Sequence, residues 1–427
     1  MLNNLKLISK EKISKQNRIW VRIASSCNNR CVFCLDSFAQ DGSFPDEDII
    51  KKQIEEGFKP GFDNRVIISG GEASINPKFA EYIKYAKDIG YNRIQTVTNG
   101  NMYFSESFCK KVLDAGLEEV TFSFHGHNET LHDYLVDTPG AFKKSLKGLI
   151  YIKKNYPYVI INVDIVVNKI NIKYLSDIVK FFMKLGVYEF DILQIIPFGR
   201  GFQDNREKLF YNIEENIKYL QDTWKLSKVP GMYMWTNRFP AEAFEGYEDL
   251  IQDPRKIKSE VMGEGRHHFE PFILSNGEKK QDCYYEKACD LCFLKQYCND
   301  FINNQKISKI KFDGSNEIIR GEEFQSQVYE KYGATKEEFV LFLNDKIKSG
   351  KLLINIPKCL NGTGIYETYN DIKEGVSLED YTKKYINNLY RKKSVRCKKC
   401  KYNNKCEGIH INFIRSYGFS ILNPILD

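Results

Sequence analysis

Three cysteines lie within eight consecutive residues, at Cys27, Cys31 and Cys34, in the segment Cys-Asn-Asn-Arg-Cys-Val-Phe-Cys. A loop with this spacing can turn three thiolates toward one point, and thiolates are soft ligands that select iron–sulfur clusters, zinc or cuprous copper. Four cysteines normally hold a [4Fe–4S] cluster, so a set of three leaves one iron without a protein ligand. An open coordination position is where a bound metal can do chemistry. The alternatives are a three-cysteine zinc site and a chance grouping.

The spacing of these cysteines, together with the aromatic Phe33 before the third, resembles the signature of the radical S-adenosylmethionine superfamily. The resemblance implies that Cys27, Cys31 and Cys34 hold a [4Fe–4S] cluster whose open iron is chelated by the amino and carboxylate groups of S-adenosylmethionine. It also implies that one electron from the cluster cleaves the S–C5′ bond, and that the 5′-deoxyadenosyl radical abstracts a substrate hydrogen. An electron donor such as flavodoxin or ferredoxin is then expected as a partner.

The composition of the 427-residue chain is that of a globular protein, long enough for two or three domains. The net charge of +7 is mild for this length, and Lys is spread along helical patterns, so a nucleic-acid partner is not expected. No signal peptide or membrane span is predicted, because the first 16 residues lack an apolar core and no apolar run reaches membrane length. A cytoplasmic location is expected, where twelve cysteines bind metal or do catalysis more often than they form disulfides.

Between residues 18 and 196, six apolar strand-like segments alternate with five helical patterns, among them a strand predicted at 119–123 and a helix predicted at 141–155. This alternation predicts a parallel sheet covered on both faces. A full (β/α)8 barrel needs about 250 residues, so we predict an α/β fold with a partial (β/α)6 TIM-like barrel, which is also the superfamily's core fold. The barrel is assigned to residues 1–204 and a connecting, substrate-covering segment to 205–270. A cysteine-rich α+β domain is assigned to 271–427, with a strand and hairpin turn predicted at 271–276 and a helical insertion at about 315–395.

Each distinctive motif occupies the carboxyl end of a predicted strand, the edge at which βα barrels do chemistry. The resemblance implies that these motifs bind S-adenosylmethionine: the Gly-Gly-Glu segment contacts the methionine amino group, and polar residues lie near the ribose and carboxylate. The alternatives are an ordinary strand-to-helix turn, a turn asparagine and a satisfied strand-end hydroxyl. The expected cofactor-binding residues are Gly70, Gly71 and Glu72 after the second strand, Asn99 after the third, Ser123 on the fourth and Ile196 on the sixth.

The segment from Ser123 to Asp133 resembles a Ser-Leu-Asp-Gly and His-Asp run of the superfamily, with two departures. His125 stands where many peptide-modifying members carry an aspartate, so the role of that aspartate is not carried over. The arginine expected shortly after His132 and Asp133 is absent, so a partner for the cofactor carboxylate is not assigned. His125 is either a proton carrier near neutral pH or a packed, hydrogen-bonded histidine. No catalytic residue is assigned.

Two further cysteine groups share an x2, x5 spacing, a repetition that indicates two equivalent metal-binding turns. Paired CxxC cysteines suit structural zinc as well as iron, so two zinc knuckles are the alternative. The spacing resembles the SPASM/twitch extension of the superfamily, which implies one or two auxiliary [4Fe–4S] clusters. How the cysteines divide between clusters is open, and Cys109 is expected to be a helix core residue. The expected ligands are Cys283, Cys289, Cys292, Cys298, Cys359, Cys397, Cys400 and Cys406.

The resemblance favours modification of a peptide or protein side chain by crosslinking, thioether formation, epimerisation or dehydrogenation. Many peptide-modifying relatives carry an N-terminal leader-binding module, and the 26 residues before Cys27 are expected to be too few for one. Radical oxidation or rearrangement of a small molecule is the alternative. A non-catalytic iron–sulfur or zinc scaffold would leave the cysteine loop and its Gly-Gly-Glu partner unexplained, and the net charge alone does not support a tRNA substrate.

Overall fold

The structure is a computed structural model that describes residues 16–263, 265–278, 288–306, 318–321, 336–349, 351–366 and 376–426. The chain separates into two compact units, Met1–Arg238 and Phe239–Asp427. Within the described ranges, no helix has the length and apolar character needed to cross a membrane.

The first unit contains a sheet of seven strands that pair in chain order, each parallel to the next. This architecture confirms the predicted α/β half-barrel, and its last strand extends the barrel unit past residue 204, the predicted boundary. The strands are β1 Gln16–Ala24, β2 Asp63–Gly70, β3 Arg93–Thr98, β4 Glu119–Ser123, β5 Ile160–Val167, β6 Glu189–Gln194 and β7 Tyr233–Asn237.

Helices follow the strands, and three of them begin at the polar caps Asp46, Ser105 and Asn128. The side chains of Asp46, Ser105 and Asn128 each accept a backbone N–H of the first turn, which satisfies a donor that the helix itself leaves free. The helices are α1 Glu47–Gly57, α2 Phe79–Ile89, α3 Glu106–Asp114, α4 Glu129–Val136, α5 Ala141–Asn155, α6 Leu175–Lys184, α7 Gly199–Gln203, α8 Arg206–Leu209 and α9 Ile213–Trp224.

The two faces of the barrel sheet differ in character. Val163, Ile165 and Val167 of β5 are fully buried, as are Phe190 and Ile192 of β6. Because side chains alternate along a strand, these residues form the face that packs on the helices, and the residues between them line the concave interior. The interior positions of the two strands include Asn162, Asp164, Glu189 and Asp191, which places polar and ionisable groups inside the barrel.

The amino-terminal end of the interior is closed by a charged network. Arg65 Nη2 donates to Glu119 Oε1 at 2.5 Å and to Gln95 Oε1 at 2.6 Å, and Arg93 lies 3.6 Å from Glu119. Burial raises the pKa of Glu119, against the opposing effect of both arginines. This end of a βα barrel contributes stability, whereas chemistry occurs at the opposite end.

The second unit packs short helices around an aromatic core. Tyr297, Tyr381 and Tyr385 are almost fully buried, and the Tyr297 hydroxyl lies 2.9 Å from Thr382 Oγ1. The elements are α10 Lys256–Met262, α11 Arg266–Leu274, α12 Ala288–Leu291, α13 Lys295–Lys306, β8 Ile318–Arg320, α14 Lys336–Lys348, β9 Leu352–Ile354, α15 Leu378–Lys384, β10 Arg391–Lys392, β11 Ile409–His410 and α16 Ile411–Tyr417.

One predicted element of this unit is wrong. The sequence predicts a strand and hairpin turn at residues 271–276, but residues up to 274 belong to α11. Phe269, Phe272 and Ile273 are buried, and their i, i+3, i+4 spacing places them on one helix face. Burial of this apolar face outweighs the local turn signal of Pro271 and Gly277.

Candidate active site

The three-cysteine loop directly follows β1, at the edge where the strands end. Burial raises the pKa of the Cys27 thiol to about 11 and also raises the pKa values of Cys31 and Cys34. Cys27 and Cys34 raise the pKa of Cys31 further, so the three sulfur atoms are close enough to repel as anions. A metal centre would reverse this balance, because its positive charge favours the thiolate form.

Backbone hydrogen bonds fix the cysteine loop against α4. Arg30 N donates to Val136 O at 3.1 Å, and Val32 N donates to Leu135 O at 3.0 Å. These bonds join the loop to the carboxyl end of α4, so this helix holds the segment between the first and third cysteines in place.

The segment after β6 holds the other side of the loop. Arg200 N donates to Cys34 O at 3.0 Å, and Arg200 Nη1 donates to Cys31 O at 3.1 Å. Gly199 adopts φ of +58°, and a Cβ there would lie 2.3 Å from Cys34 O. The close approach therefore requires glycine. Sequence reasoning missed Arg200 because its contacts span some 169 residues of chain.

Polar groups surround the cysteine sulfurs. Asn29 N lies 3.4 Å from Cys27 Sγ, Gln40 Nε2 lies 3.4 Å from Cys34 Sγ, and Asn99 Nδ2 lies 3.8 Å from Cys27 Sγ. Each lowers the pKa of its cysteine, against the larger effect of burial. N–H groups aimed at sulfur also tune the potential of a bound iron–sulfur cluster.

The Gly-Gly-Glu segment lies directly beside the cysteine loop. Glu72 N donates to Ser26 O at 2.8 Å, and Gly71 N donates to Ala24 O at 2.8 Å. A Cβ on Gly71 would lie 2.5 Å from Ser26 O, so only glycine permits this approach. The structure thus brings together the two motifs that the sequence pairs.

The buried carboxylate of Glu72 ties β2 to β3. Oε1 accepts from Ser74 N at 3.0 Å and from Thr98 Oγ1 at 2.7 Å, and Oε2 accepts from Asn99 N at 2.6 Å. Burial raises the pKa of Glu72, and these bonds oppose that change. The side chain fixes Asn99, whose Nδ2 also donates to Asn28 Oδ1 at 2.7 Å.

Two further predicted cofactor positions lie at the same edge. Ser123 ends β4 and is half-buried, with its hydroxyl donating to Asp164 on β5. Ile196 is 9% exposed and follows β6, just before the segment that contacts the cysteine loop. Their roles in binding S-adenosylmethionine stay predictions.

His125 is a packed, hydrogen-bonded histidine, the second of its two alternatives. Its Nδ1 accepts from Val166 N at 3.1 Å, and its ring meets the edge of Phe33 with centroids 4.5 Å apart. His132 Nδ1 accepts from His125 N at 3.2 Å. Burial holds the pKa of His125 well below its usual range and lowers the pKa of His132 to about 3, so both rings are neutral at pH 7. This packing supports the cysteine loop through Phe33.

In the second unit, the structure brings four predicted ligands into one group. The causes that raise the pKa of Cys359 to about 11 include Cys397, Cys400 and Cys406, after the larger effect of burial. Tyr366 borders this group, with its hydroxyl 3.1 Å from Cys406 Sγ. These four cysteines are therefore neighbours in the structure, and their division between clusters stays open.

The other predicted group is described only in part, because Cys283 lies outside the described residues. Cys289 contributes to the raised pKa of Cys292, after burial, so these two thiols are neighbours. Cys292 and Cys298 both pack against the aromatic core of this unit. Cys109 is fully buried in α3, as expected of a core residue.

Whether these residues fit an iron–sulfur cluster can be judged from the chemistry of the donors. In the described part of the chain, no three His, Cys, Asp or Glu side chains are arranged to hold a single metal ion. The fit rests instead on three neighbouring, half-buried thiols, with N–H groups 3.4 Å from the sulfurs of Cys27 and Cys34. Soft sulfur donors with N–H support suit iron–sulfur chemistry.

Sequence reasoning also missed a pair of acids inside the barrel. Asp164 on β5 and Asp191 on β6 are paired in register on the concave face. Burial, reinforced by Asp191, raises the pKa of Asp164 to about 7. The available signal was an aspartate in the middle of each apolar strand, in Ile-Ile-Asn-Val-Asp-Ile-Val-Val and in Glu-Phe-Asp-Ile-Leu-Gln.

Comparison with known families identifies the barrel. Residues 21–182 match the model of the radical SAM superfamily, whose members use a [4Fe–4S] cluster and S-adenosylmethionine. An AdoMet-dependent heme synthase of Methanosarcina barkeri is 27% identical over 212 residues, which is 48% of this chain and 58% of the relative. A second such synthase, from Oleidesulfovibrio alaskensis, matches over 46% of its length. The chain thus spans about half the length of these synthases.

A probable GTP 3′,8-cyclase of Sulfurisphaera tokodaii is 26% identical over 302 residues, covering 68% of this chain and 88% of the relative. Among solved structures, Streptococcus suis SuiB bound to precursor peptide SuiA has a TM-score of 0.43 at 14% identity, covering 59% of this chain and 55% of that one. Native anSMEcpe with bound AdoMet has a TM-score of 0.43 at 15% identity, covering 58% and 67%.

Proposed function

We propose that this chain, whose residues 21–182 match the radical SAM superfamily, is a radical S-adenosylmethionine enzyme that abstracts a hydrogen atom from a side chain of a peptide or protein. The second unit is proposed to hold one or two auxiliary [4Fe–4S] clusters. The observation that carries the proposal is that Cys359 lies near Cys397, Cys400 and Cys406 in that unit, which follows in the chain a barrel with the three-cysteine loop.

At the carboxyl edge of the barrel, different residues are proposed to bind the cluster and to contact the cofactor. Cys27, Cys31 and Cys34 hold the first cluster, which when bound supplies the electron that cleaves S-adenosylmethionine. Gly71 lets the backbone approach the cofactor closely, and Glu72 fixes the end of β3 through its bonds to Thr98 and Asn99. Asn99, Ser123 and Ile196 are proposed to contact the cofactor where it lies over the strand ends.

A small molecule is the second candidate substrate. The observation in its favour is that the relatives named above are a heme synthase and a probable GTP 3′,8-cyclase, whose names describe small-molecule chemistry. The cyclase relative is matched over most of its length. The x2, x5 cysteine spacing and its resemblance to the SPASM/twitch extension favour the peptide.

An isotope experiment separates the two candidates. Extract of the source organism grown in heavy water is divided by dialysis into macromolecular and small-molecule fractions, and each is incubated anaerobically with reduced enzyme and unlabelled S-adenosylmethionine. A peptide substrate predicts deuterium in 5′-deoxyadenosine from the macromolecular fraction, with loss of the label after protease treatment. Label that arises only from the small-molecule fraction would refute the peptide.

A further inference from the structure

Four side chains lie next to one another across the barrel interior. The strand register pairs Ser123 with Asp164, Asp164 with Asp191, and Asp191 with Trp235. Partners in register point to the same face of a sheet. These four residues, called here the interior row, begin at a predicted cofactor position and run across β5 and β6 to β7, away from the cysteine loop.

The two carboxylates of the interior row are unevenly satisfied. The Ser123 hydroxyl donates to Asp164, but Asp164 Oδ1 is buried and receives no hydrogen bond from the residues that the structure describes. Asn237 Nδ2 donates to Asp191 Oδ1 at 2.5 Å and so fixes the second carboxylate. A buried carboxylate oxygen without a donor is costly, so it marks a place where a ligand N–H would be stabilising.

Three arginines of the first unit pair with acids outside the interior row. Arg65 and Arg93 pair with Glu119 at the amino-terminal end of the interior, and Arg22 pairs with Asp36. The neighbouring interior position on β6 is also an acid, since Glu189 precedes Asp191 by two residues. Among the described residues, Asp191 is the charged group that acts on Asp164, and its negative charge raises the pKa of Asp164.

We propose that Asp164 and Asp191, with Trp235 beside them, bind a cationic nitrogen group of the substrate, an ammonium or a guanidinium. The inference rests on the proposed function, in which the substrate enters the barrel next to the cofactor. Carboxylates form their strongest hydrogen bonds with such groups, and the face of an indole attracts cations. Trp235 is 47% exposed, so its ring is accessible to a ligand from the interior.

The pH dependence of binding follows from the charges. A cation binds the ionised form of Asp164, whose pKa is raised to about 7 by burial and by Asp191. Below pH 7, binding must therefore release a proton, which lowers the affinity. Affinity for a cationic probe should rise as pH increases from 6 to 8, whereas affinity for a neutral probe of the same shape should not change.

Equilibrium binding of defined probes to the full-length protein, loaded with its clusters but without reductant, tests the proposal. The cationic probes are Nα-acetyl-lysine amide and Nα-acetyl-arginine amide for a peptide source, and putrescine and agmatine for a small-molecule source. Nα-acetyl-norleucine amide is the neutral match for the first of these. Binding is followed by ligand-detected NMR. Tighter binding of the two amino-acid amides indicates a peptide substrate, and tighter binding of putrescine and agmatine indicates a small-molecule substrate.

Asp164→Asn and Asp191→Asn should each weaken binding of the preferred cationic probe by about tenfold or more. Glu189→Gln is the matched control, because it removes a carboxylate from the same face of β6, and it should leave binding unchanged. Circular dichroism verifies that each variant is folded. Equal binding of the neutral probe, unchanged binding by both Asp variants, or no binding of any cationic probe would overturn the proposal.

The failure of this proposal can be told from failure of the proposed function. Probe binding is measured without radical chemistry, whereas cleavage of S-adenosylmethionine is measured without a probe. If Cys31→Ala loses cleavage of S-adenosylmethionine but still binds the probe, the role of the interior row in cation binding is retained. If the enzyme cleaves S-adenosylmethionine but binds no probe, only the proposed role of the interior row is overturned.

Discussion

At the scale of single residues, Glu72 shows how one buried carboxylate joins two motifs. Its oxygens accept from the backbone of Ser74 and Asn99 and from the hydroxyl of Thr98. The carboxyl end of β2 is thereby bound to that of β3, beside the cysteine loop. The side chain therefore has a structural role in addition to any contact with the cofactor.

Glu72→Gln should lower the free energy of unfolding by about 1–3 kcal/mol, because the new amide presents a donor to a neighbour that also donates. Chemical denaturation followed by fluorescence measures this loss. The control is Glu56→Gln, a carboxylate on α1 that is 68% exposed, which should be neutral. Equal stability of the Glu72 variant and the wild type would contradict the structural role.

Asp164 makes the free energy of unfolding decrease as pH rises. Burial raises its pKa to about 7 in the folded state from 3.8. The protonated carboxyl group therefore stabilises the fold fully below the unfolded pKa, and this stabilisation is lost as pH rises through about 7. The loss of unfolding free energy is about 1.4 kcal/mol for each pH unit between the unfolded and the folded pKa. Asp164→Asn should remove this part of the decline in stability between pH 5 and pH 8.

Denaturation of wild type and Asp164→Asn at both pH values measures the difference. Asp114→Asn, at an exposed end of α3, is the control and should follow the wild type. A decline in the Asp164 variant as large as that in the wild type would show that the carboxyl group is not held in the protonated form.

At the scale of elements, the start of α7 holds the cysteine loop by close backbone contact. Gly199 has a left-handed φ of +58°, and a Cβ there would lie 2.3 Å from Cys34 O and 2.5 Å from Leu35 O. Replacement therefore adds both backbone strain and a collision with the loop. The strain alone is general to such glycines, whereas the collision is particular to this position.

Gly199→Ala should lower iron incorporation into the first cluster and production of 5′-deoxyadenosine severalfold. Gly231→Ala is a matched control, because Gly231 also has positive φ, at +83°, but no atom of the described residues lies within 4 Å of an added Cβ. It isolates the cost of strain. Iron content and product yield are measured together, and equal losses in the two variants would contradict a specific contact with the loop.

The elements that the sequence predicts best have strong local signals. The predicted bounds of β4 and α5 are those observed, Glu119–Ser123 and Ala141–Asn155, because apolar residues recur at one period and polar or glycine residues flank them. β7 was missed because its sequence, Tyr-Met-Trp-Thr-Asn, lacks the apolar run of the other strands and lies in the region assigned to the connecting segment. Its identity as a strand depends on pairing with β6, which is a long-range interaction.

In the candidate site, too, some features have local sequence signals and others depend on long-range contacts. The spacing of Cys27, Cys31 and Cys34 is local and is visible directly in the sequence. The supporting bonds of Arg200 and the pairing of Asp164 with Asp191 depend on the register of distant segments. Such contacts leave no pattern along the chain beyond the residue types themselves.

At the scale of the whole molecule, the two units carry separate sets of cysteines. The first unit contains the three-cysteine loop, and the second contains the group formed by Cys359, Cys397, Cys400 and Cys406. If each set holds a cluster, iron binding in one should survive loss of the other. This independence gives the assignment of iron or zinc a direct test.

Anaerobically reconstituted protein should contain about twelve irons for three [4Fe–4S] clusters, or about eight for two. The double variant Cys397→Ala, Cys400→Ala should lose about four irons, and Cys109→Ala, in the core of α3, should lose none. Metal content is measured by mass spectrometry. About four irons with zinc bound to the wild type would assign the second unit to structural zinc.

The three-cysteine loop carries the central claim, and production of 5′-deoxyadenosine tests it most directly. Anaerobic, reduced wild-type protein is incubated with S-adenosylmethionine, and 5′-deoxyadenosine and methionine are quantified by chromatography and mass spectrometry. The wild type and Cys109→Ala should form both products, and Cys31→Ala should form neither. Formation of 5′-deoxyadenosine by Cys31→Ala at the wild-type rate would contradict the assignment of this loop.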